Sequence, residues 1–254
     1  MEYSFIDKYS DLDSPVHRLD PRVKIISALV FVVCVVTTAP QAFPQFLLFF
    51  AIAAFLAVLA KVPLSFILKR SLAVLPFVLV VIIFLPFASG GSSIGSLNIG
   101  FTRLAVSHKG LWIAWNVLIK SWLSMLAMVL LASTTGFQMV LKGLERLRVP
   151  RIFLMILSFM YRYTFVISEA AEKMERARRM RYFGGRALRQ IGVIGNMIGM
   201  LFIRSYERGE RIYLGMCARG FDGQIRTLSQ LKLGSRDVFC LILFSAALFF
   251  IRIM

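Results

Sequence analysis

The chain has 254 residues, 58% of them hydrophobic and 17% charged, and its mean hydropathy is +0.76. This composition is typical of an integral membrane protein and argues against a soluble globular one. Thirty Lys and Arg against 13 Asp and Glu give a formal net charge of +17, an excess that membrane proteins usually collect on the cytoplasmic side. Nucleic-acid binding is the competing interpretation, which the long apolar runs disfavour, and we expect no nucleic-acid partner.

Five apolar runs approach or reach the length of about 20 residues that a membrane-crossing helix needs. In chain order they are residues 23–38, 43–60, 71–88, 111–133 and 238–251. Basic residues before the first run and between the second and third predict that those ends face the cytoplasm. Acidic residues precede the first run, so no cleaved signal peptide is expected. We predict an all-α polytopic membrane protein with about five transmembrane helices and a cytoplasmic N-terminus.

The segments between these runs follow the same orientation. The turn at 39–42 and the Gly- and Ser-rich loop at 89–110 are expected to face the outside.

Lys120 falls inside the fourth run, where a buried ionisable residue is a functional candidate by default. A lysine that snorkels to the interface or pairs within the helix bundle is the alternative.

A sixth apolar stretch, residues 152–168, poses a problem of topology. A crossing there would export the region that follows, which is the most basic part of the chain. The stretch also contains Arg162 between Tyr161 and Tyr163, and an arginine near the bilayer centre costs about 2.5 to 3.5 kcal/mol on insertion scales. We therefore predict an interfacial helix along the inner face, with these three side chains at headgroup level.

The basic region predicts two further helices, from residue 169 to about 181 and from about 188 to 218. In the first, Glu172 and Arg176, and likewise Glu175 and Arg179, have the four-residue spacing of helical ion pairs. In the second, Gly195 and Gly199 have the spacing that lets helix backbones approach closely, within this chain or against a partner.

The second of these helices has a predicted end at Ala218, Arg219 and Gly220. The glycine can adopt the left-handed C′ conformation while the arginine faces the negative end of the helix dipole. Such an end presents a charged side chain to a partner, which indicates a connector and not an active site.

The chain lacks the motifs of the common catalytic sites. It contains no Gly-rich phosphate loop followed by Lys and Ser or Thr, so it does not hydrolyse ATP by that route. A nucleophile elbow and a zinc-protease helix motif are also absent. The three cysteines and two histidines are far apart in sequence, and we expect no disulfide, metal site or cofactor. A non-catalytic protein is therefore predicted.

Three sequence blocks in a fixed order resemble the CbiQ/EcfT family, the transmembrane coupling subunits of energy-coupling-factor ABC importers. The blocks are SPVHRLDPRVK at 14–24, GLERLRVP at 143–150 and ARGFDG at 218–223. The similarity runs over nearly the whole chain. It implies three parts: residues 1–135 with four transmembrane helices, a cytoplasmic coupling-helix region at 136–236, and a C-terminal transmembrane helix at 237–254.

The resemblance also implies how the chain works. Family members carry two short Ala-Arg-Gly-like motifs at the ends of coupling helices, and each arginine docks in a groove of one ATPase subunit. The second motif matches at Ala218, Arg219 and Gly220. The first lies in ARRMRY at 177–182, where Arg181 is the preferred docking residue and Arg178 the alternative.

The implied partners are two CbiO-like ABC ATPase subunits and a CbiM-like substrate-binding membrane subunit with a CbiN-like companion, all at the inner (cytoplasmic) membrane. ATPase motion would pass mechanically through the coupling helices to the substrate-binding subunit. The first block and the FDG ending favour cobalt as the substrate, with nickel or a vitamin as alternatives. A stand-alone membrane carrier or a membrane-embedded enzyme is disfavoured, because the apolar runs contain few charged residues beyond Lys120 and no cluster of carboxylates.

Overall fold

The computed structural model of the chain describes residues 14–40, 42–88, 93–99, 102–181, 187–223 and 234–253. These residues form helices and one two-stranded ribbon. In chain order the elements are α1 (Pro21–Thr37), α2 (Phe43–Leu59), α3 (Leu64–Leu72), α4 (Leu75–Ala88), β1 (Ser93–Ile99), β2 (Thr102–Ser107), α5 (His108–Thr134), α6 (Phe137–Arg146), α7 (Arg151–Met180), α8 (Ala187–Cys217) and α9 (Ser235–Ile253). The predicted helical fold is confirmed, apart from the ribbon.

Each of the five predicted spans falls on helical chain. The third, 71–88, is divided, because α3 ends at Leu72 and α4 begins at Leu75. By length and composition, two helices in the described ranges are suited to cross a membrane, Trp112–Thr134 within α5 and the whole of α7. The number of five crossings therefore stays a prediction.

The loop predicted at 89–110 contains an antiparallel ribbon that the sequence interpretation missed. β1 pairs with β2 from Ser93 opposite Ser107 to Ile99 opposite Thr102, with one irregularity near Gly95. The ribbon lies between the end of α4 and the start of α5.

Two compact units make up the chain, one comprising Leu147–Gln230 and the other comprising Glu2–Arg146 with Leu231–Met254. The second, which we call the membrane unit, has its core where α1, α2, α5 and α9 meet. Phe31 of α1 and Phe49 of α2 pack edge to face with ring centroids 5.7 Å apart. Leu123 of α5 and Leu248 of α9 are buried in the same cluster. Large apolar side chains such as these supply most of the packing contacts between helices.

The membrane unit also has a defined start. Asp20 caps α1, because its carboxylate accepts a hydrogen bond from the Arg22 N–H at 2.9 Å. Pro21 occupies the first helical position, where its fixed φ suits a helix and its missing N–H costs nothing. The Asp-Pro-Arg sequence of the first block is therefore a helix start signal.

The other compact unit contains α7 and α8. The prediction of a helix beginning at residue 169, separate from the apolar stretch 152–168, is wrong: α7 is one continuous helix of 30 residues. No Gly or Pro interrupts the sequence between Arg151 and Met180, so nothing in it breaks the helix. Whether 152–168 crosses the membrane or lies along its inner face is a separate question, and the interfacial position stays a prediction.

Candidate coupling site

Helix α8 ends with the geometry that its glycine predicts. Gly220 has φ +76°, the left-handed conformation expected of a C′ glycine. The Phe221 N–H donates to the Met216 carbonyl at 3.1 Å, and the Gly220 N–H donates to the Cys217 carbonyl at 3.0 Å. These two bonds form a Schellman motif, which satisfies carbonyls of the last helical turn. The predicted conformation of Gly220 is confirmed.

Arg219 occupies the cap position of this helix end. Its backbone N–H donates to the Met216 carbonyl at 3.0 Å, while its side chain is exposed, as is that of Ala218. The backbone of Arg219 is thus held by α8, and its guanidinium stands in solvent near the negative end of the helix dipole. A cation held in this way suits a partner surface lined by carboxylate or carbonyl oxygens.

Helix α7 ends with an arginine in the corresponding position. Arg181 is the C-cap residue, with φ −97° and its backbone N–H bonded to the Arg178 carbonyl at 3.1 Å. Its side chain is exposed. Each of the two cytoplasmic helices predicted from sequence therefore ends in an exposed cap arginine. The residue after Arg181, Tyr182, lies outside the described residues.

Arg178, the alternative docking residue, is engaged on its own helix. Its guanidinium donates to both carboxylate oxygens of Glu175, each at 2.7 Å, and its side chain is 23% exposed. Arg179 binds the same carboxylate at 2.9 Å, which confirms the predicted pairing of Glu175 with Arg179. The hydrogen bonds from Arg178 and Arg179 lower the pKa of Glu175 to about 2, so the carboxylate stays ionised and paired at physiological pH.

The other predicted ion pair on α7 is wrong. Glu172 and Arg176 are both exposed and form no salt bridge in the described part of the chain. Glu169 instead pairs with Lys173 at 2.8 Å, again at a spacing of four residues. Exposed ion pairs of this kind contribute little to stability. A spacing of four residues therefore does not determine which of several neighbouring charged residues will pair.

The glycines of α8 leave one part of that helix open. No heavy atom of the described residues lies within 4 Å of where a Cβ would stand at Gly192, Gly195 or Gly199. The close packing that the spacing of Gly195 and Gly199 suggested is therefore not formed within the compact unit that contains α7 and α8. Exposed apolar side chains at Ile198 and Phe202 continue the open surface.

A cavity of about 250 Å³ between α7 and α8 has no counterpart in the sequence interpretation. Tyr163 lines it from α7, and Arg208 and Met216 line it from α8. Its walls are mainly apolar, and Met216 is also the residue whose carbonyl anchors the end of α8. The cavity therefore directly adjoins the turn that holds Arg219.

Lys120, left open between two interpretations, pairs within the helix bundle. Its ammonium donates to the Val36 carbonyl at 2.9 Å and to the Thr38 carbonyl at 2.7 Å. A second lysine that the sequence interpretation missed, Lys24, is buried and donates to the Thr134 carbonyl at 3.0 Å. Lys24 lies near the start of the first apolar run, 23–38, so its sequence signal was the same as that of Lys120, but it was interpreted only as one of the basic residues that set the orientation.

Comparison with known proteins gives one consistent result. The family model described as CbiQ, cobalt transport protein, matches residues 13–230. The cobalt transport protein CbiQ of Rhodobacter capsulatus is 31% identical over 221 residues, which cover 87% of this chain and 86% of that protein. The energy-coupling factor transporter transmembrane protein EcfT of Bacillus subtilis is 28% identical, with 99% of each chain covered. A putative fused cobalt transport protein CbiMQ of Methanocorpusculum labreanum is 28% identical over 83% of this chain and 35% of its own length.

Proposed function

This chain belongs to the CbiQ family of cobalt transport proteins, whose members are membrane transporter components, and from that premise we propose that it couples ATPase subunits to a substrate-binding membrane subunit. The observation that carries the proposal is the pair of exposed cap arginines, Arg181 and Arg219, at the ends of α7 and α8. Each would dock in a groove of one of two CbiO-like ATPase subunits. ATP hydrolysis would belong to those subunits, since this chain lacks a phosphate loop.

The geometry of α7 supports Arg181 over Arg178 as the first docking residue. A docking arginine must release its own contacts before it can bind a partner, and the bidentate pair with Glu175 would have to be broken to free Arg178. Arg181 is exposed at the helix end, in the same cap position as Arg219. The two motifs would then work in the same way, with each guanidinium held by a helix end.

Motion of the ATPase subunits would pass along α7 and α8 to the substrate-binding subunit. Gly192, Gly195 and Gly199 support α8 as the helix that contacts this subunit, because their open surface allows a partner helix to approach closely. The fused CbiMQ relative carries both names in one chain, which supports a CbiM-like partner here, together with a CbiN-like subunit. Cobalt is the substrate that the family description favours, and nickel or a vitamin is the alternative.

We place the protein in the cell inner membrane with its N-terminus in the cytoplasm. Residues 1–135 would carry four crossings, 136–236 the coupling region and 237–254 the fifth crossing. The positive charge of the region after residue 168 supports this arrangement, because Lys and Arg are retained on the cytoplasmic side.

The test of the coupling function is co-purification from the native membrane in a mild detergent. Tagged wild-type protein is expected to retain an ATPase and a second membrane protein, both identified by mass spectrometry. The double variant Arg181→Ala plus Arg219→Ala should lose the ATPase. Of the single variants at the first motif, Arg181→Ala should lower ATPase recovery and Arg178→Ala should not. Equal ATPase recovery with wild type and the double variant would refute docking through these arginines.

The orientation of α7 is tested with a cysteine at Glu169 in a variant without the three native cysteines. We expect Glu169→Cys to react with a membrane-impermeant maleimide in inside-out vesicles and not in intact cells. Lys61→Cys, between the second and third predicted spans, serves as the cytoplasmic control. Labelling of Glu169→Cys from the outside alone would show that 152–168 crosses the membrane.

A further inference from the structure

The last turn of α1 has its carbonyls satisfied without a following helix. The Thr37 and Thr38 hydroxyls donate to the Cys34 carbonyl at 3.2 and 2.7 Å, and the Thr37 hydroxyl also reaches the Val33 carbonyl at 2.7 Å. The Thr38 N–H donates to the Val35 carbonyl. The next carbonyl, that of Val36, receives the ammonium of Lys120 from α5, which also binds the Thr38 carbonyl.

The last turn of α5 is built in the same way. The Ser133 and Thr134 hydroxyls donate to the Leu130 carbonyl at 3.1 and 2.8 Å, and the Thr134 hydroxyl also reaches the Leu131 carbonyl. The Thr134 carbonyl then receives the ammonium of Lys24 from α1 at 3.0 Å, and the same ammonium also donates to the His17 carbonyl, before α1, at 3.1 Å. Both helices therefore end in hydroxyl side chains that bond back to the helix, followed by a carbonyl that a lysine of the other helix binds.

The two contacts lie at opposite ends of one antiparallel helix pair. Between Lys24 and Val36, α1 rises about 18 Å, and between Lys120 and Thr134, α5 rises about 21 Å, at 1.5 Å per residue. These lengths are close to each other, so both contacts form in the same register. A slip of one helical turn, about 5.4 Å, would take both ammonium groups out of hydrogen-bonding range.

We propose that Lys24 and Lys120 form a reciprocal clamp that locks α1 and α5 in a single register. The clamp depends on where the helices end. A helix of 17 residues such as α1 is about 26 Å long, which is shorter than the hydrocarbon core of about 30 Å. A carbonyl that ends inside the hydrocarbon core needs a partner from the protein, because lipid offers none. A lysine is a suitable partner, because its positive charge meets the negative end of the helix dipole.

The reciprocal arrangement does more than cap two helices separately. Each lysine is fixed on the helix whose own end the other lysine binds, so loss of either contact removes one of the two polar restraints on the register and weakens the contact at the far end. The clamp would make α1 and α5 one rigid body within the membrane unit. This inference concerns the membrane unit alone and stands whether or not the proposed coupling function is correct.

The test is hydrogen–deuterium exchange of the full-length chain in lipid nanodiscs, comparing wild type with Lys24→Met and Lys120→Met. Methionine replaces the apolar stem of lysine with an unbranched chain that lacks only the terminal nitrogen, so it removes the charge and the donors. We expect each variant to speed exchange on the order of tenfold or more, since a hydrogen bond to a charged group is lost. The increase should appear at both helix ends, residues 34–40 and residues 130–136, whichever lysine is removed.

Lys69→Met is the matched control, because Lys69 is exposed on α3, and it should leave exchange at both ends unchanged. Faster exchange only at the end nearest the substituted lysine would show two independent caps and overturn the clamp, and so would no change at either end. If a methionine variant fails to insert, Lys24→Gln and Lys120→Gln retain a neutral donor, and the same two-ended increase is expected at smaller amplitude.

Discussion

Replacement of Arg219 with alanine is expected to weaken binding of the ATPase partner by about 2 to 5 kcal/mol, which is roughly thirtyfold to several thousandfold in Kd. The loss arises because truncation removes a cation and leaves the oxygen atoms of its docking groove without a partner. The fold should be unaffected, since the Arg219 side chain is exposed and only its backbone bonds to α8. Titration of the purified ATPase onto the protein in nanodiscs measures the change.

The matched control for Arg219→Ala is Arg211→Ala. Arg211 is an exposed arginine on the same helix, and its removal changes the net charge by the same amount. We expect Kd for the ATPase to change less than threefold, because a rim charge mainly affects the association rate. Equal losses in the two variants would assign the effect to overall charge and contradict docking by Arg219.

The glycine after Arg219 tests the same helix end through the backbone. Gly220→Ala should lower the free energy of unfolding by about 1 to 2 kcal/mol, because φ +76° is unfavourable for a residue with a Cβ. Gly215→Ala should raise the free energy of unfolding by up to about 1 kcal/mol, because Gly215 lies in the last turn of α8, before the left-handed residue, where alanine is the better helix former. Neither new Cβ meets a heavy atom of the described residues within 4 Å, so the backbone alone separates the two variants. Only Gly220→Ala should redirect Arg219 and weaken ATPase binding.

The apolar runs and the helix ends were predictable because their signals are local. A run of apolar residues identifies a helix of nearly the right bounds, as 43–60 does for α2. The arginine and glycine at 219 and 220 define a helix end because the Schellman bonds join residues no more than five positions apart. Both conclusions require only the residues inside one element.

The contacts between distant elements were not predictable from one sequence. Lys120 was a candidate because of its place in an apolar run, but its partners lie 82 and 84 residues away along the chain. Lys24 and Thr134 are 110 residues apart. No local pattern records which carbonyl a lysine will reach, because the packing of α1 on α5 decides it. The predicted break of the helix between residues 168 and 169 was wrong. The sequence changes there from apolar to charged residues, which alters the surroundings of a helix but does not end it.

Tertiary packing also explains why two of the three sequence blocks occur together. Gly143, at the start of the GLERLRVP block, lies on α6 against the first turn of α1, which ends the SPVHRLDPRVK block. A Cβ at Gly143 would stand 2.8 Å from Ile25 Cδ1 and 3.4 Å from the carbonyl carbon of Pro21. The absent side chain therefore lets α6 approach α1, close to the Lys24 contact with the end of α5.

Gly143→Val is accordingly expected to destabilise the membrane unit by about 1 to 3 kcal/mol or more, the usual cost of overpacking a tight contact. The Ile25 side chain can rotate away from one added methyl group, so Gly143→Ala should be close to neutral, helped by the higher helix propensity of alanine. Valine adds two more methyl groups beyond a Cβ that already lies 3.4 Å from the backbone of Pro21, and this backbone cannot move without disturbing the Asp20 cap. Thermal unfolding of the purified protein in detergent measures the difference.

Gly209→Val separates this clash from the poor helix propensity of valine, because a Cβ at Gly209 on α8 meets no heavy atom of the described residues within 4 Å. Its unfolding midpoint should fall by clearly less than that of Gly143→Val. Adding Ile25→Ala to Gly143→Val should recover part of the loss, since the atom nearest the new side chain is then removed. Equal midpoints for the two valine variants, with no recovery from Ile25→Ala, would mean that α6 does not need a glycine to lie against α1. The joint occurrence of the first two blocks would then require another physical cause.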